Sequence, residues 1–225
     1  MKTICYVDGY NLYYGCLKHT PYKWLDLECL LNTLLHEQNP ASDLVLVKYF
    51  TADIKAQLSR HGDAAHQAQQ DYQRALALRM GERLQIIKGF HSLSKGSMLS
   101  YETPASKARR VDVWRLEEKE TDVNLALHAY RDAIRLRADQ LVFVSNDTDL
   151  APALRAIREE KLNLEVGVVF PILHRSEPTP RPGNATLSAL ADWTRRHLHA
   201  TELANAQLPA LIPTKRKPIR KPAHW

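Results

Sequence analysis

Two short segments of this 225-residue chain place carboxylates where an α/β protein keeps its chemistry. Residues 3–7 (TICYV) are β-branched and aromatic and end at Asp8-Gly9. Residues 140–144 (QLVFV) are a second such run, followed by Ser145, Asn146, Asp147, Thr148 and Asp149. Both predict buried strands. In open α/β sheets, ligands bind outside the carboxyl ends of the strands, where Asp8, Asp147 and Asp149 fall. Taken singly, Asp-Gly and Ser-Asn-Asp are ordinary turn and cap sequences. Taken together, carboxylates gathered at one edge raise each other's pKa unless a cation compensates. Oxygen-only ligands of this kind suit Mg²⁺ or Mn²⁺, not zinc. A third acid must come from elsewhere. Asp122 is the best candidate, since it sits near the start of a helix whose dipole favours negative charge; in isolation it reads as a residue that caps or dresses that helix.

The elements that position these acids follow from periodicity. Leucines at helical spacing over residues 25–36 predict a helix that ends before Asn39-Pro40, and residues 43–50 (DLVLVKYF) a second strand. Residues 11–17 read as the first turns of a helix or as a loop. A long surface helix is expected over about 60–80, closed by Gly81, and a third strand over 84–90. Residues 91–110, with Gly96, five serines and Pro104, show no clear period and read as an irregular segment; 111–116 alternate like a strand. Residues 121–137 predict an amphipathic helix with Thr121 as its cap and Val123, Leu127, Tyr130 and Ile134 on one side. A helix over 150–159, a strand over 164–169, an extended loop over 171–183 with four prolines, and a final helix over 186–198 complete the pattern. Strands alternating with helices imply an α/β fold: a three-layer α/β/α sandwich with a mainly parallel sheet. The expected organisation is one catalytic domain over residues 1–200 and a flexible, Pro-containing basic tail over 201–225.

Composition narrows the classes. Five of the six net positive charges lie in residues 214–225, so the body is close to neutral. Such a tail can add salt-sensitive affinity for phosphate backbones or serve solubility alone. No apolar run is long enough to cross a bilayer, and Met1-Lys2-Thr3 leads directly into strand-like sequence rather than a signal peptide. The three cysteines, with no CxxC spacing, read as buried free thiols in a reducing cytoplasm. The ten histidines lack HExxH spacing, and neither GxxxxGK[ST] nor GxGxxG occurs, which argues against ATP hydrolysis or a tight dinucleotide site.

YVDGYN (residues 6–11), KETDVNLA (119–126) and SNDTDLAP (145–152) resemble, in order and spacing, the three signature segments of the NYN family, which is similar to the PIN-domain nucleases. The resemblance runs from about residue 3 to 170. It implies an α/β/α nuclease domain that cleaves RNA phosphodiesters with Mg²⁺ or Mn²⁺, most simply an endoribonuclease acting on single-stranded RNA. Asp8, Asp122, Asp147 and Asp149 would be the metal ligands, Asp149 by way of a water. Asn11 would position the metal's water or Asp8, and Ser145 would support Asp147. One departure stands out: family members often have Gly after the lysine of the middle segment, where this chain has Glu120.

Substrate grip is less legible. Lys95, Lys107, Arg109 and Arg110 cluster in the irregular segment and could hold a phosphate backbone over the metals, or be solvated surface charge. Of Tyr10, Tyr13 and Tyr14, one could stack on a base of single-stranded RNA, with core packing expected for at least two. The rivals are an RNA-binding adaptor that keeps the fold without cleaving, and a small-molecule enzyme, because some bacterial NYN-like proteins are named as hydroxylases of pyridine compounds. A pure binder gains nothing from concentrating negative charge where RNA must sit. Nothing in the residues fixes an oligomeric state, and a homo-oligomer is compatible with them.

Overall fold

Alternate residues of the first strand point to opposite sides of a sheet, and each side has its own core. The computed structural model describes residues 1–104, 106–160, 162–174, 182–215 and 217–225. Strand β1 (Lys2–Asp8) sends Ile4 and Tyr6 to one face, Cys5 and Val7 to the other, with all four buried. On the Cys5 face lie α2 (Leu27–Gln38) and α3 (Gly62–Met80), packing Leu31, Leu35, Tyr72 and Leu76. On the Tyr6 face lie α4 (Thr121–Ile134) and α5 (Ala151–Glu159), packing Leu125, Ala129, Leu154 and Ile157. The three-layer α/β/α sandwich is thus built from one strand period and two helix pairs.

The remaining strands are β2 (Asp43–Ala52), β3 (Leu84–Leu99), β4 (Arg110–Lys119), β5 (Gln140–Val144), β6 (Glu165–Val169) and β7 (Trp193–Arg195). Their order is β4-β3-β2-β1-β5-β6-β7, and every pairing is parallel except β3 with β4. From β1 the chain moves outward through β2 and β3, then returns to add β5 on the opposite side of β1. The carboxyl ends of β1 and β5 are therefore a topological switch point, where such sheets leave a crevice.

Three elements differ from the sequence-based expectation. The segment 91–110 is not irregular throughout: β3 continues to Leu99 and pairs antiparallel with β4, from Phe90 opposite Lys119 to Leu99 opposite Arg110. Gly96 is a close-approach residue rather than a break, since a Cβ there would collide with the Arg115 side chain. Helix α4 buries Leu125, Ala129, Asp132 and Ala133, while Val123, Leu127 and Ile134 stay exposed. Small alanines let this helix sit close to the sheet, and Asp132 is tolerated because it pairs with buried Lys48 and accepts the Tyr6 hydroxyl at 2.8 Å. The expected last helix ends early: α6 (Ala185–Leu190) stops, and Trp193–Arg195 turn into β7, whose indole lies where a Gly167 side chain would be.

Most of the expected proline-rich loop, residues 175–181, lies outside the described residues. The C-terminal segment carries α7 (Ala200–Asn205) and a small antiparallel pair, β8 (Leu211–Ile212) with β9 (Ile219–Arg220). Ile219 is buried, and the Trp225 ring packs against Trp24 and Tyr72. All three cysteines are free thiols. Among the described residues no helix is long and apolar enough to cross a membrane.

Candidate active site at the ends of β1 and β5

Asp8 is the last residue of β1 and is 1% exposed, held from two sides of the switch point. Its Oδ1 accepts the Asn11 amide N–H at 2.9 Å, which caps the short helix α1 (Gly9–Leu12). Its Oδ2 accepts Asn11 Nδ2 at 2.8 Å and the Ser145 hydroxyl at 2.9 Å. Gly9 makes this geometry possible, because a Cβ there would come within 2.7 Å of the Phe50 carbonyl oxygen. Burial raises the Asp8 pKa, opposed by the bonds from Asn11 and Ser145 and reinforced by nearby Glu118.

The β5 end is stitched to the same centre. Ser145 Oγ accepts the Asp147 N–H at 3.1 Å, so one hydroxyl links the two segments, touching Asp8 by its side chain and Asp147 through its backbone. Asp147 Oδ1 accepts the Asp149 N–H at 3.0 Å and so caps the turn Thr148–Leu150. The Asn146 N–H donates to Asn11 Oδ1 at 3.3 Å, and Asn146 Oδ1 accepts the Asn184 N–H at 2.8 Å. The turn-and-cap roles considered for Asp8 and Asp147 are real, and they hold the carboxylates at the crevice.

Asp122 enters from the first turn of α4 and is the most perturbed acid. Its pKa is pushed up to about 6, first by burial and then by the charges of Asp8, Asp147, Glu118 and Asp149. All four acids expected from the sequence therefore share one electrostatic neighbourhood. Glu118, near the end of β4, is a fifth member that the sequence reading passed over. Its Oε1 is buried without a hydrogen-bond partner, and it raises the pKa values of Asp8, Tyr10 and Tyr49 as well as Asp122. The available signal was the pair Glu117-Glu118 directly after the alternating 111–116 run. Glu120, which stands where family members often have Gly, is exposed and takes φ 72°, the left-handed conformation that favours glycine. That explains why glycine suits this position.

The basic residues expected to grip substrate lie on the β3–β4 hairpin and its connection. Lys95 pairs with Trp114 across the β3–β4 hairpin, five residues beyond the Phe90–Lys119 pair, about 16 Å along the strand. Its ammonium lies over the Trp114 ring at 5.8 Å. Arg110 binds Ser97, and Arg109 pairs with Glu102 at 2.9 Å. Arg110, opposite Leu99, is nine residues out, about 30 Å. Lys107 lies in the exposed connection between the two strands.

Tyr10, Tyr13 and Tyr14 are all exposed, against the expectation that at least two would be core. Leu12, Cys16 and Leu17 take the buried side of this segment, which runs from α1 into a π-helical turn over Tyr13–Leu17.

The donor chemistry fits a hard divalent cation: five carboxylates, one with an unpartnered buried oxygen and one held short of positive charge. The ligands are not drawn into a cage, however. Among the described residues no three His, Cys, Asp or Glu side chains are grouped closely enough to hold a metal ion.

Comparison with known proteins adds three findings. The NYN domain model matches residues 2–182. A curated relative, 6-hydroxy-3-succinoylpyridine 3-monooxygenase HspA of Pseudomonas putida, is 40% identical over 242 aligned residues, covering 100% of this chain and 75% of the relative. A crystal structure of a Vibrio parahaemolyticus protein of unknown function is similar with TM-score 0.48 and 19% identity, over 86% of this chain and 91% of the other.

Proposed function

The chain belongs to the NYN domain family, within the PIN-like nuclease superfamily, and from that premise we propose that it is a Mg²⁺- or Mn²⁺-dependent ribonuclease that cleaves single-stranded RNA internally. The observation that carries this reading is the crowding of Asp8, Asp147, Glu118 and Asp149 around Asp122 at the switch point. Negative charge is concentrated where an anionic phosphodiester must lie, an arrangement that serves catalysis only with a cation between them.

In this reading Asp8, Asp122, Asp147 and Asp149 hold the cation, with Glu118 beside them. A bound divalent ion supplies a lowered pKa for the attacking water and neutralises charge developing on the phosphate. The protein's own groups do the rest. Asn11 and Ser145 fix the orientation of the Asp8 carboxylate with three hydrogen bonds, so that it need not reorganise during reaction. The Ser145 link to the Asp147 backbone ties the β5 carboxylates to the same frame.

The test is cleavage of a labelled single-stranded RNA with Mn²⁺, abolished by EDTA and by Asp147→Asn in a variant that keeps the wild-type melting temperature. Cleavage that survives Asp147→Asn defeats the proposed site.

A second reading rests on the 40% identity to a protein named as a pyridine monooxygenase. Under it the same crevice would take a hydroxypyridine, and oxygen would be consumed with an added reductant. Oxygen uptake dependent on 6-hydroxy-3-succinoylpyridine, without RNA cleavage, decides for that reading; RNA cleavage without uptake decides for the nuclease.

A further inference from the structure

Beside the carboxylates lies a cleft of about 580 Å³, lined by Tyr10, Tyr14, Asn146, Asp147, Gly183 and Asn184 among others. The carboxylate chemistry accounts for Asp147 and leaves the rest of this wall unexplained. Tyr10 and Tyr14 are 48% and 50% exposed, a large aromatic surface to leave in water one turn after the last residue of the central strand. They are not loose. Their ring centroids are 4.4 Å apart, Tyr13 meets Tyr14 edge-on at 5.1 Å, and the Lys18 ammonium stands 4.7 Å from the Tyr14 centroid. The backbone beneath them is pinned, since a side chain at Gly15 would collide with the Pro171 carbonyl. The π-helical turn that carries Tyr14 is a rare distortion, frequent at functional sites.

The polar wall is equally specific. Asn146 uses its Oδ1 on the Asn184 N–H, and Asn184 uses its Oδ1 on the amides of Thr186 and Leu187. The acceptor ends are thus committed, and among the described residues the Nδ2 groups of both asparagines donate to nothing. An aromatic face with two free amide donors matches a planar ring that carries carbonyl acceptors.

We propose that Tyr10, Tyr14, Asn146 and Asn184 form a subsite for one planar nitrogen heterocycle bearing a ring carbonyl, placed next to the group attacked at Asp147. On the nuclease reading, on which the identity of this occupant rests, it is an unpaired base of the RNA flanking the scissile phosphate. A free hydroxypyridine in its keto form shares the same chemistry.

Binding measured in EDTA separates this subsite from cleavage. Fluorescence anisotropy with a labelled ten-nucleotide single-stranded RNA, and with a ribose-phosphate strand of equal length lacking bases, is compared for wild type, Tyr10→Ala and Tyr10→Phe. The expected result is that Tyr10→Ala weakens binding of the RNA about 10-fold, leaves the abasic strand unchanged, and is rescued by Tyr10→Phe. Calorimetric titration of 6-hydroxy-3-succinoylpyridine forms the other arm. Binding of that compound lost in Tyr10→Ala, with RNA binding insensitive to the change, keeps the subsite and assigns it to the free ring. Equal affinity of wild type and Tyr10→Ala for both ligands, or binding of neither, overturns the proposal. Because no arm needs turnover, an active Asp147→Asn variant defeats the catalytic site without bearing on these results.

Discussion

Helix α4 carries two aspartates ten positions apart in opposite electrostatic surroundings. Asp132 is fully buried, yet it has a cation at its side in Lys48 and a donor in the Tyr6 hydroxyl. Arg137 stands 3.6 Å from its other oxygen. Asp122 is only half-buried, and its neighbours are other acids. A fold that can neutralise a buried carboxylate at one end of a helix leaves another uncompensated at the other end. The contrast marks Asp132 as part of the scaffold and, on the proposed function, assigns Asp122 to the cation.

The comparison can be broken by exchanging the consequences of losing each charge. Asp122→Asn is expected to lower RNA cleavage on the order of 10²-fold or more while the protein melts no earlier than wild type. Asp132→Ala should do the reverse, costing about 3–5 kcal/mol in urea denaturation because Lys48 is left buried without its partner, with the folded fraction cleaving at the wild-type rate. If both substitutions destabilise the fold alike and neither affects cleavage selectively, the distinction fails.

A smaller effect sharpens it through pH. The Asp122 carboxyl titrates near 6 in the folded chain, against about 3.9 when unfolded. The folded state therefore holds this proton more tightly, and stability is lost as pH rises from about 4 through 6. Melting followed by circular dichroism should fall by a few degrees between pH 5 and 7.5 in EDTA, and Mn²⁺ should restore it at pH 7.5. In Asp122→Asn that component of the pH dependence should vanish. The smallest expected change is at the residue that precedes α4. Glu120→Gly relieves a left-handed φ of 72° and should stabilise by about 1 kcal/mol, with cleavage unaffected.

Much of this arrangement was legible in advance, for identifiable reasons. Asp8 and Asp147 stood out because each follows a short apolar run that could only be a buried strand, and a parallel sheet gathers such ends. Glu118 was passed over because its alternating run seemed to finish at Leu116, whereas β4 continues to Lys119. The β3–β4 hairpin was hidden by Gly96 and the serines, which read as breaks until the partner strand is known; pairing across the hairpin, not local propensity, makes that segment extended. On α4 the bulky residues suggested the wrong face, since the sheet accepts the alanines and a neutralised Asp132. The tyrosines were misplaced because composition cannot say which side of a short helix and its π-helical turn meets solvent. Leu12, Cys16 and Leu17 had already filled the inner side.

The hydroxyl of Ser145 and the carboxylate of Asp8 that joins it are separated by 137 positions in the chain. About three fifths of the protein must be synthesised between them, and β5 must reach the free side of β1 before the two ends meet. Closing so long a loop comes late in folding, because its entropy has to be met before the contact repays it. An incomplete chain on the ribosome therefore has one half of the centre and not the other. On the proposed function, a chain made among the RNA it cuts would stay inert until synthesis has passed that point.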